Sequence, residues 1–110
     1  MKTSIWVTFQ VEGLHHWPNA GDYLLHPHRH VFHFRVETTV EHDNREIEFI
    51  TFKRELKKQA ERIVSPGYVV PYSCEEIAKH LILYMKNVYG DRDYTVEVSE
   101  DGENGATVCT

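Results

Sequence analysis

Residues 3 to 15 and 28 to 41 alternate apolar and polar side chains with a period of two, and this alternation constrains the fold more than any other feature of the chain. In the first stretch Ile5, Val7, Phe9, Val11 and Gly13 share one parity, while Ser4, Thr8, Gln10 and Glu12 take the other; Trp6 is the exception. In the second, His28, His30, Phe32, Phe34 and Val36 fall on one parity and Arg35, Glu37, Thr39 and Glu41 on the other. Successive side chains of a strand project to opposite faces, so each stretch predicts a strand with one face in a core. The segment between them, "HHWPNAGDYLLHP", carries Pro, Asn, Gly and Asp and reads as an irregular loop, which makes an antiparallel pair the expected arrangement.

The rest of the chain follows from changes of period. "HDNRE" has turn chemistry, and "IEFI" reads as a short extended return. From Thr51 the spacing becomes helical: Phe52, Leu56, Ala60 and Ile63 recur as one stripe, and the pattern stops before Pro66-Gly67. Ser73 followed by Glu76 is a capping-box signature for a second helix, whose buried stripe is Ile77, Leu81, Tyr84 and Val88 and whose end is Gly90. Residues 94 to 100 alternate again with Tyr94, Val96 and Val98 inward, and "DGENGA" is a turn before a short strand at "TVC". The order predicts an α+β fold: a four-stranded antiparallel sheet with two helices between the second and third strands, packed on one face. With 110 residues and no repeat or linker, residues 1–110 form a single domain.

Composition narrows the function classes. At 41% hydrophobic and 26% charged residues the chain is globular, and its net charge of -5 argues against nucleic acid as the main partner, because phosphate binding needs a basic footprint. The one dense basic stretch, "KRELKK", reads as a solvated helix face. "MKTSIWVTFQV" has neither the apolar core of a signal peptide nor a span near about 20 residues, so no membrane partner and a cytoplasmic location are expected. Cys74 and Cys109 make no metal-type pair and are expected as free thiols.

The residues that could carry chemistry are histidines. "LLHPHRHVFHF" places His26, His28, His30 and His33 in one short run. His28 and His30 share the apolar parity of their strand, and His33 points the other way with Arg35 and Glu37. His15 continues the apolar parity of the first strand, whereas His16 does not. If the two strands pair, His15, His28 and His30 converge at one end of the sheet. Three neutral imidazoles with an open fourth position are the donor set of a catalytic zinc site. Beside this stands the plainer reading, in which each histidine is an ordinary satisfied side chain; His26, His42 and His80 are placed at the surface or behind the site by default. Glu100 is the second anomaly, since it continues the inward parity of Tyr94, Val96 and Val98. A carboxylate on an apolar face needs a partner, and paired N–H donors of a heterocycle are one such partner; alternatively the strand ends at Val98 and Glu100 belongs to the acidic turn.

These segments resemble the 6-pyruvoyl tetrahydropterin synthase and 6-carboxytetrahydropterin synthase family, whose fold is the T-fold or tunnelling fold. "VEGLHHWP" is similar to the family's F-E-A-A-H-R-L-P and "HRH" to its H-G-H, so the resemblance assigns His15, His28 and His30 as zinc ligands. "EFITFK" resembles D-F-x-x-L-K at the start of the first helix, with Glu48 in the acidic position. "YSCEEIAKHL" resembles P-T-x-E-x-L-A, which puts Ser73 in a substrate-binding position, and "VEVSED" resembles the V-x-V-x-E-T strand that supplies the pterin-anchoring glutamate, here Glu100. Two departures stand out. The family's catalytic cysteine, four residues before the first histidine of H-G-H, is Leu24 here, and the family's later Asp-His pair has no counterpart in "ERIVSPGYVVPY". Proton transfer then needs a substitute base, for which Asp22 and His26 are the candidates.

The resemblance implies a zinc-dependent enzyme acting on dihydroneopterin triphosphate or a related pterin by elimination or side-chain cleavage. It also implies a trimer-based homo-oligomer, up to a hexamer, in which subunits join sheets into a barrel. The alternatives are a T-fold module that binds a pterin or purine without chemistry, favoured by the missing cysteine and Asp-His pair, and a structural or interaction domain with no metal.

Overall fold

The computed structural model describes residues 1–15, 28–64 and 69–110, with the side chains of His15, His28, Val69 and Val70 outside that description. Strand β1 (Thr3–His15) pairs antiparallel with β2 (His28–Val40) without interruption, from Thr3 opposite Val40 to His15 opposite His28. Helix α1 (Phe49–Ile63), the two-residue strand β3 (Val69–Val70) and helix α2 (Cys74–Tyr89) follow, and then β4 (Tyr94–Glu100) and β5 (Asn104–Cys109). The sheet order is β3-β1-β2-β4-β5, all neighbours antiparallel except β3, which runs parallel to β1 at Leu14 and His15.

The alternation of the strands is their burial pattern. Val7, Phe9 and Val11 of β1, Phe32, Phe34 and Val36 of β2, and Tyr94, Val96 and Val98 of β4 are all buried. The buried residues of α1 (Phe52, Leu56, Ala60) and of α2 (Cys74, Ile77, Ala78, Leu81, Ile82, Met85) belong to the same core cluster. Phe9 and Phe34, opposite each other in the register, stack at 4.9 Å. Each such buried apolar side chain contributes roughly 1.5–3 kcal/mol relative to exposure, offset by the entropy of ordering it.

Four boundaries differ from the sequence reading. "IEFI" is not an extended return: Glu48 caps α1, its carboxylate accepting the Ile50 and Thr51 amides at 2.9 Å each, so Phe49 and Ile50 are already helical. The four antiparallel strands are those expected; among the described residues a fifth, β3, adds to β1 in parallel, because "VV" is too short to show any period. The last turn is confined to Asp101–Glu103, where Asp101 and Gly102 adopt positive φ of 60° and 72°, and β5 begins at Asn104. Val88 is exposed; at the end of α2 it is Tyr89 that turns inward, its ring 5.4 Å from Phe52 and its hydroxyl donating to Glu55 at 2.9 Å. Gly90 ends the helix at φ 84°, as expected of a residue without Cβ, and the Tyr94 hydroxyl donates to its carbonyl at 2.6 Å. No helix among the described residues is long and apolar enough to cross a membrane.

Candidate functional site

The β1–β2 register sets one end of the sheet: His15 lies opposite His28, and Gly13 opposite His30. His30 occupies the next inward position of β2 beyond Phe32, and its ring meets the Phe32 ring edge-on at 6.0 Å. Gly13 keeps β1 close here, since a Cβ at that position would stand 3.3 Å from the Val64 side chain and 3.4 Å from Phe32. From β4, Glu100 sits opposite Phe32 on the inward parity of Val96 and Val98.

These placements bring His30 between two carboxylates. Its Nε2 lies 3.1 Å from Glu100 Oε2 and its Nδ1 2.8 Å from Asp101 Oδ2; the His30 and Glu100 side chains are only 18% and 20% exposed. Asp101 is locked in turn: its Oδ1 accepts the Val31 amide at 2.9 Å and its own amide donates to the Val31 carbonyl at 2.7 Å. The Val31 amide first, and then His30, hold the Asp101 carboxyl below the usual carboxylate range. In the tautomer that donates Nδ1–H to Asp101, Nε2 turns its lone pair towards Glu100; in the other, Nε2–H donates to Glu100.

The start of α2 approaches the same carboxylate. Ser73 is the N-cap, its Oγ accepting the Glu76 amide at 3.2 Å. Cys74 follows and is buried; burial pushes its thiol up to about 12, and the charges of Glu100 and Glu75 add to the effect. A helix N-terminus favours a thiolate, but here desolvation outweighs it, so Cys74 is a packed apolar group and not a nucleophile.

The structure therefore brings His30 and Glu100 together and puts Ser73 at the helix start whose neighbour Cys74 feels the Glu100 charge. It places His15 and His28 in register with each other at the same end; their side chains, and the whole of Asp22, Leu24 and His26, lie outside the described residues. His33 faces away from His30, as its parity requires. Glu48 is a helix cap. Asp101 was missed by the sequence reading because it sits in an acidic turn whose function is invisible without the positive φ that swings its carboxylate back to β2. Its only signal was the Asp-Gly pair that permits such a turn.

Among the described residues, no group of three or more His, Cys, Asp or Glu side chains has the arrangement to hold a metal ion. The donor chemistry of His30 nevertheless fits a zinc ligand: an imidazole whose Nδ1–H is held by a carboxylate is the usual supporting arrangement for metal binding through Nε2. An apolar cavity of about 480 Å³ near Ile5, Val40, Ile47 and Phe49 lies at the opposite end of the strands, far from this constellation. No protein-family model matches the chain, and no curated protein does.

Proposed function

We propose that this chain is a zinc-dependent pterin enzyme resembling 6-carboxytetrahydropterin synthase, built on a T-fold and acting on dihydroneopterin triphosphate or a related pterin by elimination or side-chain cleavage. The observation that supports this reading best is the meeting of His30 and Glu100 at the end of the sheet where His15 and His28 are register partners. His15, His28 and His30 would hold the zinc, which supplies Lewis-acid polarisation of a substrate oxygen when bound. Asp101 orients His30 through Nδ1. Glu100 accepts the paired N–H donors of the amino-pyrimidine edge, and Ser73 lies at the helix start beside it. Asp22 and His26 are the groups proposed to move the proton that the family's cysteine moves elsewhere.

A titration of the purified protein with dihydroneopterin triphosphate, with zinc measured by elemental analysis, tests the reading. Glu100→Gln preserves volume but replaces one acceptor by a donor, so pterin affinity falls by about 2 to 3 kcal/mol while zinc content stays constant. Glu103→Gln, in the neighbouring turn, has little effect. Equal affinities for Glu100→Gln and the parent overturn the assignment, and so does a zinc content that is unchanged in His30→Ala. A second reading, binding of a pterin or purine without chemistry, is favoured by Leu24 in the usual cysteine position. Turnover of the substrate separates the two.

The same reading includes a trimer-based homo-oligomer. Among the described residues β1 pairs on its outer side only at Leu14 and His15, and β5 has a neighbour on one side alone. Unpaired edges of this kind must be covered, charged or paired, and like subunits provide the last. Light scattering at micromolar concentration is expected to give a multiple of the chain mass; a monomer overturns this part.

A further inference from the structure

We propose that the polar side of the sheet, where the flank of α1 borders it, carries an anion site for a di- or triphosphate group, formed by His33, Arg35, Lys53 and Lys57. A cavity of about 640 Å³ opens there, and these four side chains line it together with the polar Gln10 and Ser99. That volume falls in the range of small-molecule sites. The chain as a whole carries a net charge of -5, yet among the described residues lining this cavity three are fixed cations and Glu97 alone is a carboxylate. With Arg35 paired to Glu37 and Glu97 opposite it in the register, the excess positive charge rests on Lys53 and Lys57, and that local excess is the feature that calls for a ligand.

The register builds the floor. Gln10, His33, Ser99 and Gly105 form one row across β1, β2, β4 and β5, and Thr8, Arg35, Glu97 and Thr107 form the next. Arg35 is held in place by the Trp6 ring, 4.9 Å beneath its guanidinium, and by Glu37 Oε1 at 3.3 Å. A guanidinium so fixed presents its remaining donors to a planar or tetrahedral oxyanion. One glycine lines the row. Gly102, at φ 72°, lies against the His33 ring with no side chain to cover it.

The lysines come from α1, which packs against β1. Each directly follows a buried position, Phe52 and Leu56, so the two stand one turn apart on the same flank of the helix. Neither has an ion-pair partner among the described residues. Two ammonium groups at this spacing can each reach a different phosphate of one chain. The site lies on the opposite face from His30 and Glu100 and is independent of the function proposed above.

The test is calorimetric titration of the whole chain with inorganic triphosphate and pyrophosphate in low-salt buffer free of divalent cations. Parallel titrations use the double variant Lys53→Gln/Lys57→Gln, the variant Arg35→Gln, and the control Arg54→Gln/Lys58→Gln, which removes the same charge from the same helix outside the cavity. Triphosphate affinity is expected to fall by about tenfold or more in the first two and to stay within about twofold in the control. A parent that binds neither anion overturns the proposal, as do equal losses in the lysine pair and the control, which would mark a general charge effect. A nucleoside triphosphate forms the last arm. Binding that depends on Lys53 and Lys57 shows that the site accepts phosphates carried on an organic group, rejection while inorganic triphosphate binds shows that it takes the free polyphosphate, and either outcome supports the site.

Discussion

Cys74 and Cys109 show how one residue type acquires two chemistries from position alone. Cys74 begins α2 beneath the sheet, where burial, reinforced by Glu100 and Glu75, drives its thiol to about 12, while Cys109 is exposed near the end of β5. Because the thiolate is the reactive species, a thiol reagent at about pH 8 is expected to modify Cys109 alone in the native protein and both residues in denaturant. Mass spectrometry of the labelled peptides reads this directly; equal native labelling rates would show that the start of α2 is open. His30 shows the same logic. Its parity was legible in the chain, but its two carboxylate neighbours come from residues 70 or so positions away, and one of them, Asp101, arrives only through a backbone turn at φ 60°.

At the scale of elements, caps decide where the helices start. Ser73 was readable as a cap from the Ser-x-x-Glu spacing, and its hydroxyl does accept the Glu76 amide. Ser73→Ala is therefore expected to destabilise the protein by about 1 kcal/mol in urea unfolding, with Ser73→Thr retaining most of the parent stability. A Ser73→Ala protein as stable as the parent would mean that solvent satisfies that amide equally well. Glu48 was not readable in the same way, because a glutamate that reaches round to two amides of its own first turn is less common than Ser, Thr, Asp or Asn in that role. Ile47 and Phe49 alternate with Glu46 and Glu48 in a manner that imitates a strand. The exposure of Phe49 and Ile50 explains the mistake, for a buried stripe would have shown the helical period two residues earlier.

Across the whole molecule, carboxylates tie distant segments to one another, and their titration sets the acid limit of stability. Glu46 is held below the usual carboxylate range by the Glu41 amide and by Arg92, which also donates to the Thr39 carbonyl; Glu48 is lowered by the Ile50 and Thr51 amides, and Asp101 by the Val31 amide and His30. For groups depressed in the folded state, the stabilisation is fully present above their unfolded values and is lost as pH falls through the folded ones. The urea midpoint is thus expected to be nearly flat from about pH 7 to about pH 5 and to drop below about pH 4. Glu46→Gln/Glu48→Gln should flatten that drop relative to the parent; an unchanged acid slope in the double variant would place the responsible groups elsewhere.

Alternation and helical spacing are local properties, so the chain alone determined which residues form β1, β2, β4 and most of both helices, and which side of each faces the core. It likewise put His30 on an inward parity, because parity needs no knowledge of neighbours, whereas that β4 runs past Val98 to carry Glu100 inward was decided by its pairing with β2. Only the tertiary structure decided what those two residues meet. Contact across strands depends on register, on the close approach that Gly13 permits and on the left-handed turn at Asp101, none of which leaves a periodic trace. The same holds for β3, whose two valines become a strand only where β1 offers an edge, and for the cationic cleft, where a helix flank and the far face of the sheet meet although their residues are separated in the chain.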